Sequence, residues 1–534
     1  MNSTNSYMTN IFPDSFADPM RRFFLPCKKI AASEKCSDPE IFINNRTLRN
    51  FVASDFPVCK IAEGGFIIAD FGKEFSGGVR IVSDRMKPAK IRLRFGESLS
   101  ECCGEPNMDH AIHDVVLPLN MLSSVEFGNT GTRFVRIDAV SGELNLTNII
   151  AYAEMRWLEK RGSFTSSDPR LNAIFDTAVH TVHLNIQDFI FDGVKRDRLL
   201  WGGDIHPEIA TILRVFGGIK EVEETLEMLC SHTAKGEFIN TMFSYPLWVL
   251  IAIRDYWFYH GDNAILQKFA SFITGTVERF IPMVKDDGAA QFPGQAFLDW
   301  PSSTDPQGAY AGIHALLATA LSAADLMYKE LGKEDAELSA AVAGIRRHLP
   351  DPGCNKAAAA LQHLAGLADR RDILEKDPFN NISTFLGYYV LLAKTPASAL
   401  ELTRRYWGGM LDMGATSFWE DFDLAWCENA FRIDQMPVPG KKDIHADFGA
   451  YCYKGLRHSL CHGWASGPAA WCSEKILGVT PAAPGYRKIR FTPDLCDLDH
   501  ASGTIPTIHG DIRVSLQKGK EPEIILPPEV TLVI

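Results

Sequence analysis

The stretch SFTSSDPRLNAIFDTAVHTVHLNIQDF, residues 163–189, is where the chain changes character. Ser167 or Asp168 can cap a helix, Pro169 suits its first turn, and Leu171, Ile174, Phe175, Ala178 and Val182 then recur at helical spacing. This pattern predicts an amphipathic helix running to near Phe191. Helical runs continue to about residue 477, among them EVEETLEMLCSH, YPLWVLIAIRDYWFYHGD and GIHALLATALSAADLMYKELG. About eleven to thirteen helices are expected. Several are apolar on more than one face, as helices inside a layered barrel must be. The aromatic stripe Tyr245, Trp248, Tyr256 and Trp257 reads as core.

Upstream of this point the texture is β. GGFIIADFG, GGVRIVSD, AKIRLRFGES and TRFVRIDAV are short runs rich in Ile, Val and Phe, punctuated by Gly, Asp, Ser and Pro. That spacing predicts an all-β sandwich. GESLSECCGEP and NMDHAIHDVV, between them, read as long loop. Residues 479–534 return to β, with YRKIRFTP, GTIPTIHG, DIRVSLQKG and PEIILPPEVTLVI as four or so strands of a small sheet. The expected plan is a polar tail over 1–26, an N-terminal β-sandwich over 27–162, a helical domain over 163–478 and a C-terminal β-sandwich over 479–534. The fold class is therefore multidomain and mainly α.

Hydrophobic residues make up 46% and charged residues 22% of 534, the balance of an ordinary globular protein. A net charge of −12 argues against nucleic acid as a partner, because phosphate backbones are held by clustered Lys and Arg. The start has no basic region followed by an apolar run, and no stretch reaches the roughly 18–20 apolar residues of a membrane span. A cytoplasmic location is expected. The sequence leaves self-association as a homo-oligomer open. The twelve cysteines include no Cys-x-x-Cys pair. Asp109, His110 and His113, and the helical pair His180/His183, have spacings compatible with metal ligation, but each lacks a further ligand, so no metal and no cofactor is expected.

Four stretches carry chemistry. In DGVKRDRLLWGGD, residues 192–204, three aspartates, a lysine and two arginines crowd around Trp201 and two glycines. Such a loop ordinarily sits in solvent. Trp201 beside Gly202 and Gly203 would instead let a sugar-like face approach the backbone and stack. Arg196 between Asp192 and Asp197 could hold one carboxylate ionised. In GATSFWEDFD, residues 414–423, Glu420 follows Phe418 and Trp419, surroundings that raise a carboxyl pKa toward the range useful for proton abstraction. FLDWPS repeats the pairing of acid and indole at Asp299 and Trp300, and SLCHGWASGPAAW places His462 before Gly463 and Trp464. Two carboxylates facing each other across an indole-lined pocket are what hydrolysis of a glycosidic bond requires.

These residues resemble the α-L-rhamnosidases of glycoside hydrolase family 78. That family's signature runs Asp-Cys-Pro-Gln-Arg-Glu, three residues, Trp, one residue, Gly-Asp. Asp192, Arg196, Trp201, Gly203 and Asp204 fall on it without a gap. GATSFWE is similar to the family's Gly-Ala-Thr-Thr-x-Trp-Glu, FLDWPS to its Asp-Trp segment, and CHGWASGPAAWCSEKILGVTPAAPGY to the stretch bearing its histidine. The flanking segments ADFGKEFSGGVRI and GTIPTIHGDIRVS resemble its β domains. The resemblance implies an (α/α)6 barrel between β-sandwich domains, and removal of terminal α-L-rhamnose with inversion. It implies Asp197 as general acid and Glu420 as general base. Asp192, Arg196, Asp204, Asp299 and His462 would bond the sugar hydroxyls, with Trp201, Trp300 and Trp419 along its apolar face. A small rhamnose-containing glycoside would be the substrate.

The chain departs from the signature in two places. GVK stands for Cys-Pro-Gln, adding Lys195, and Asp197 stands for the glutamate, so the acid reaches roughly an ångström less far. Two other readings follow. A uronyl-sugar hydrolase would need basic residues in the pocket, for which Lys195 and Arg198 are candidates. A sugar-binding protein would keep the tryptophans and acids without turnover, although it would have no use for Glu420 as a base.

Overall fold

The computed structural model describes residues 20–49, 56–84, 87–104, 114–233, 237–294 and 296–533. The N-terminal part is β, as expected, but it begins earlier. Met20–Pro26, assigned from sequence to the polar tail, is strand β1. It pairs antiparallel along its whole length with β7 (Leu144–Arg156). MRRFFLP alternates too weakly to stand out alone, and the long partner strand supplies the order. The other strands are β2 (Lys29–Cys36), β3 (Cys59–Ser83), β4 (Ala89–Gly96), β5 (Asp114–Leu119) and β6 (Ser124–Ser141). They form one seven-stranded sheet in the order β1-β7-β3-β6-β4-β5, with β2 pairing β3 off the path. Apolar residues of β3, β4, β6 and β7, among them Ile67, Val79, Ile91, Leu93, Val135 and Ile149, close a core of their own.

Two segments read as loop contain regular structure. Leu99–Cys103 is a short helix, capped by the Ser98 hydroxyl accepting from the Glu101 N–H at 3.1 Å. Residues 114–119 form β5. Asp109, His110 and His113 lie outside the described residues.

The helical part starts where the sequence changes character. Asp168, rather than Ser167, caps the helix Pro169–Asn185 by accepting from the N–H of Arg170 at 2.8 Å and of Leu171 at 3.3 Å. Leu171, Ile174, Phe175, Ala178 and Val182 are all buried. The helix stops at Asn185, short of Phe191, because Ile186 pairs with Ile190 and the chain turns into an irregular loop.

Six helices then pack on one another in cyclic order: Ile205–Val215, Tyr245–His260, Pro306–Glu330, Lys356–Leu364, Gly387–Ala393 and Gly467–Trp471, the last touching the first. Pro169–Asn185, Lys220–Ser231, Ala270–Phe280, Ala336–Ile345, Arg371–Glu375 and Pro396–Asp412 alternate with them along the chain and pack against them. The expected stripe of Tyr245, Trp248, Tyr256 and Trp257 is buried, consistent with a helix enclosed on nearly all sides. Pro306–Glu330 alone among the described residues is long and apolar enough to cross a bilayer, at a mean hydropathy of 1.2, and 72% of that window is buried within the protein.

The C-terminal strands form two small sheets. Val479–Pro481, Lys488–Phe491 and Thr531–Leu532 make one. His500–Thr507, Gly510–Gln517 and Glu523–Ile525 make the other, joined by β8 (Ser163–Ser166). That last pairing ties the entrance of the helical part to the far end of the chain. Ile489, Ile505, Ile512 and Val514 share one continuous core with the helices.

Candidate active site

DGVKRDRLLWGGD is neither a solvated charge run nor a simple pocket wall. It folds around the carboxylate of Asp192, which is buried. Oδ2 accepts from the Asp197 N–H and Oδ1 from the Leu199 N–H, both at 2.9 Å, closing a tight turn. Burial pushes the Asp192 carboxyl up to about 7, against the lowering effect of those N–H groups. The turn is pinned to the SLCHGW segment by the Gly463 N–H donating to the Asp192 carbonyl at 2.7 Å and by a bridge between Gly193 and His462.

Three carboxylates surround the imidazole of His462. Its Nε2 lies 3.8 Å from Asp192 Oδ2, 3.8 Å from Asp204 Oδ1 and 3.9 Å from Glu420 Oε1. The four residues come from three separate stretches of chain. Burial lifts the carboxyl groups of Asp204 and Glu420 well above their usual range, with the neighbouring Asp192 adding to both. Burial also holds the imidazole well below its usual range. The His462 ring packs on Trp464 at 4.0 Å, with the two planes tilted by 33°.

Glu420 is held rigidly. Its Oε2 accepts from the Ser459 N–H at 3.0 Å, and its own N–H donates to the Ser459 carbonyl at 2.9 Å. Its carbonyl accepts from Trp464 Nε1 at 3.1 Å and from the Thr384 hydroxyl at 2.5 Å. Asp197 is different. Its side chain is 32% exposed, and Oδ1 accepts from Arg457 at 3.2 Å. One carboxylate is thus buried and fixed, and the other stands at the rim on the Asp192 turn.

Asp299 is buried, accepting from the Ser302 N–H at 2.9 Å and the Ser383 hydroxyl at 3.2 Å. It lines a cleft of about 590 Å³ together with Asp421, Asp423, Asp447 and Trp426. Burial pushes Asp421, next to Glu420, up to about 6. Trp201 is half-buried, edge-on to Tyr245 at 6.2 Å, and Trp300 is half-buried, stacked on Tyr451 at 6.2 Å.

Three expectations need correction. Trp419, expected along a sugar face, is 0% exposed and packs edge-on against Phe422 and His458. Arg196, expected to meet sugar hydroxyls, is 1% exposed, and its Nη2 donates to the carbonyls of Leu456 at 2.7 Å and His458 at 2.9 Å. Gly202 and Gly203 do not open the backbone to a ligand. A Cβ at Gly203 would lie 2.6 Å from the Tyr245 ring and one at Gly202 2.9 Å from Ile239, so the glycines admit protein side chains.

Sequence alone does not single out Glu208, and it places Tyr245 in the core and Trp464 only as a neighbour of His462. Glu208 is buried on the helix Ile205–Val215, its carboxyl lifted by burial and by Asp204. A Cβ at Gly463 would stand 1.7 Å from its Oε1, so only glycine fits there. A lone glutamate in an otherwise apolar helical run was the available signal. His180 and His183 each donate from Nε2 to a backbone carbonyl, of Glu74 and Arg156 respectively, at 2.9 Å.

A cyclic array of helices lies between β regions in the chain, and buried carboxylates from separate stretches meet at one imidazole. Comparison with known proteins adds to this. A family model described as the bacterial alpha-L-rhamnosidase 6 hairpin glycosidase domain matches residues 159–341, and one for the bacterial alpha-L-rhamnosidase C-terminal domain matches residues 478–532. An alpha-L-rhamnosidase of Alteromonas sp. (strain LOR) is 24% identical over 84% of this chain and 53% of its own length. The rhamnosidase of Klebsiella oxytoca with rhamnose bound superposes with a TM-score of 0.66 at 21% identity, covering 85% of this chain and 95% of that one. The Streptomyces avermitilis alpha-L-rhamnosidase complexed with L-rhamnose gives a TM-score of 0.73 at 18% identity, covering 96% of this chain and 50% of that one. The protein is α-L-rhamnosidase-like, and it resembles glycoside hydrolase family 78. It spans about half the length of the sequence relatives it matches.

Proposed function

We propose that this chain hydrolyses terminal α-L-rhamnosides with inversion, in an (α/α)6 barrel flanked by β-sandwich domains over about 20–162 and 479–534. The observation that carries this reading is the convergence of Asp192, Asp204 and Glu420 within 4 Å of His462, with Asp197 at the rim of the same loop. The cyclic packing of six helices against six others supports the barrel.

In the reaction, Asp197 donates its proton to the glycosidic oxygen as the C1–O bond breaks. Glu420 takes a proton from water as that water's oxygen bonds to C1 from the opposite face. The products are the aglycone alcohol and β-L-rhamnose. A base must stay in place while its neighbours move, and the Ser459 and Trp464 bonds hold the Glu420 segment on both sides. An acid must meet a leaving group that departs toward solvent, which suits the exposed position of Asp197. Asp192, Asp204, His462 and Asp299 bind the sugar hydroxyls, with Trp201, Trp300 and Trp464 along its apolar faces. Arg196 positions the loop.

The uronyl reading loses its support. Lys195 is fully buried against Glu101, and Arg198 donates to Asn129 of the β region at 2.5 and 3.2 Å. The cleft that Asp299 lines also carries Asp421, Asp423 and Asp447 against the single lysine Lys356, an excess of negative charge that would repel a substrate carboxylate.

Proton NMR of an aryl α-L-rhamnoside digest tests the proposal. First-formed β-rhamnose, lost in Glu420→Gln, is expected. Saturable rhamnose binding without turnover would leave a sugar-binding protein instead.

A further inference from the structure

Outside the residues of the proposed chemistry, a buried cluster of ionisable side chains joins the N-terminal β region to the loops bearing Asp197 and Glu420. Glu97 follows β4 directly, and Glu101 lies in the helix Leu99–Cys103. Glu101 Oε2 accepts from the Glu97 N–H at 2.7 Å, so the two form one unit. Glu101 Oε1 pairs with Lys195, which is fully buried and two residues before Asp197. Glu97 Oε2 accepts from the Leu460 N–H at 2.9 Å, and the preceding residue, Ser459, gives its N–H to Glu420. Arg196 lies 3.7 Å from Glu97 and bonds the carbonyls of Leu456 and His458. β6 also touches the loop. The Gly131 N–H donates to the Val194 carbonyl at 3.1 Å, and a Cβ at Gly131 would stand 2.6 Å from Val194.

Glu97, Glu101 and His445 could bring ligand atoms within 4.8 Å of one another, as a metal site would. Their places are taken otherwise. Lys195 and Arg196 bring two positive charges to the two glutamates. The His445 ring nitrogens meet the Ser98 hydroxyl at 2.7 Å and the His458 carbonyl at 2.8 Å.

We propose that Glu97 and Glu101 are positioning residues for the two carboxylates of the hydrolytic site. Glu101 fixes the Asp197 turn through Lys195, and Glu97 fixes the segment that orients Glu420. The β region thereby becomes part of the working site rather than an appendage.

The kinetic part of the test rests on the hydrolase reading above; hydrogen exchange does not. Glu101→Gln is expected to slow kcat for an alkyl α-L-rhamnoside by about tenfold or more, since small misplacements of a catalytic group are costly. The dinitrophenyl rhamnoside, whose leaving group needs no proton, should change less than about threefold, with KM steady for both. Glu97→Gln should slow both substrates alike, because water attack needs the base in either case. Lys195→Gln, which removes the partner of Glu101, tests the same contact should Glu101→Gln fail to fold. A lowered Tm with unchanged kcat, or equal losses on both substrates for Glu101→Gln, would overturn the assignment. If the unaltered protein cleaves no rhamnoside, the hydrolase reading fails on its own, and deuterium uptake decides this one. Faster exchange confined to 192–204 in Glu101→Gln and to 456–462 in Glu97→Gln supports it; unchanged exchange there sinks it.

Discussion

Asp192→Asn removes one acceptor from the centre of the loop that carries the proposed acid. The buried Asp192 carboxylate accepts two backbone N–H groups at 2.9 Å, from Asp197 and Leu199. An asparagine has one acceptor oxygen, and its amide nitrogen must face the other N–H. One buried donor is then unpaired, at a cost of about 1–3 kcal/mol. Opening the turn relieves that cost and displaces Asp197. At 1.36 kcal/mol per factor of ten, the population with Asp197 in place falls about 5- to 150-fold. The assay is kcat/KM for an alkyl and a dinitrophenyl α-L-rhamnoside, compared with the unaltered protein. Any contact between Asp192 and the rhamnose is common to both substrates and cancels in their ratio. What remains reports proton donation alone. The alkyl substrate should lose about 5- to 150-fold relative to the dinitrophenyl one. An unchanged ratio, however large the common loss, would refute the role given to the Asp192 turn.

Glu420→Gln keeps an oxygen for the Ser459 N–H, so Tm should hold, while kcat drops by about 10²–10⁴ on both substrates; retained turnover in a folded variant would exclude Glu420 as base. Asp192, lifted by burial from 3.8 to about 7, binds its proton more tightly folded than unfolded, so its contribution to stability is full below about pH 4 and is lost as pH rises through 7. Urea unfolding at pH 5 and 7.5 should show a fall in stability that is shallower in Asp192→Asn; equal slopes would place the carboxyl in a wetter setting. Gly463→Ala drives a methyl into Glu208 and should cost about 1–3 kcal/mol, with Tm recovering when Glu208→Ala is added. Failure of that second change to restore Tm would locate the strain elsewhere.

The β strands at the two ends of the helical part show where local pattern fails. β1 and β8 are short and take their order from partners 136 and 341 residues away, as in the pairings Met20↔Arg156 and Ser163↔Thr504. No periodicity within four or seven residues can encode such a partner. Expected as tail and as helix approach, both belong to sheets.

What the sequence by itself determined was everything that depends on neighbours along the chain. Asp168 and Pro169 start a helix, and the 3.6-residue spacing of Leu171, Ile174, Phe175 and Val182 selects its buried face. The stretches 192–204, 414–423 and 459–471 each carried enough chemistry to be singled out, and the fold brings them to one imidazole. What only the tertiary structure decided was the direction of each side chain. Trp419 and Glu420 are adjacent in sequence, yet the indole enters the core while the carboxylate faces His462. Arg196 and Asp197 divide in the same way between interior and rim. Glu97 meets Leu460 across 363 residues. Burial of a charge is tolerated only where a partner waits, and that partner is supplied by packing between distant segments, which no local pattern records.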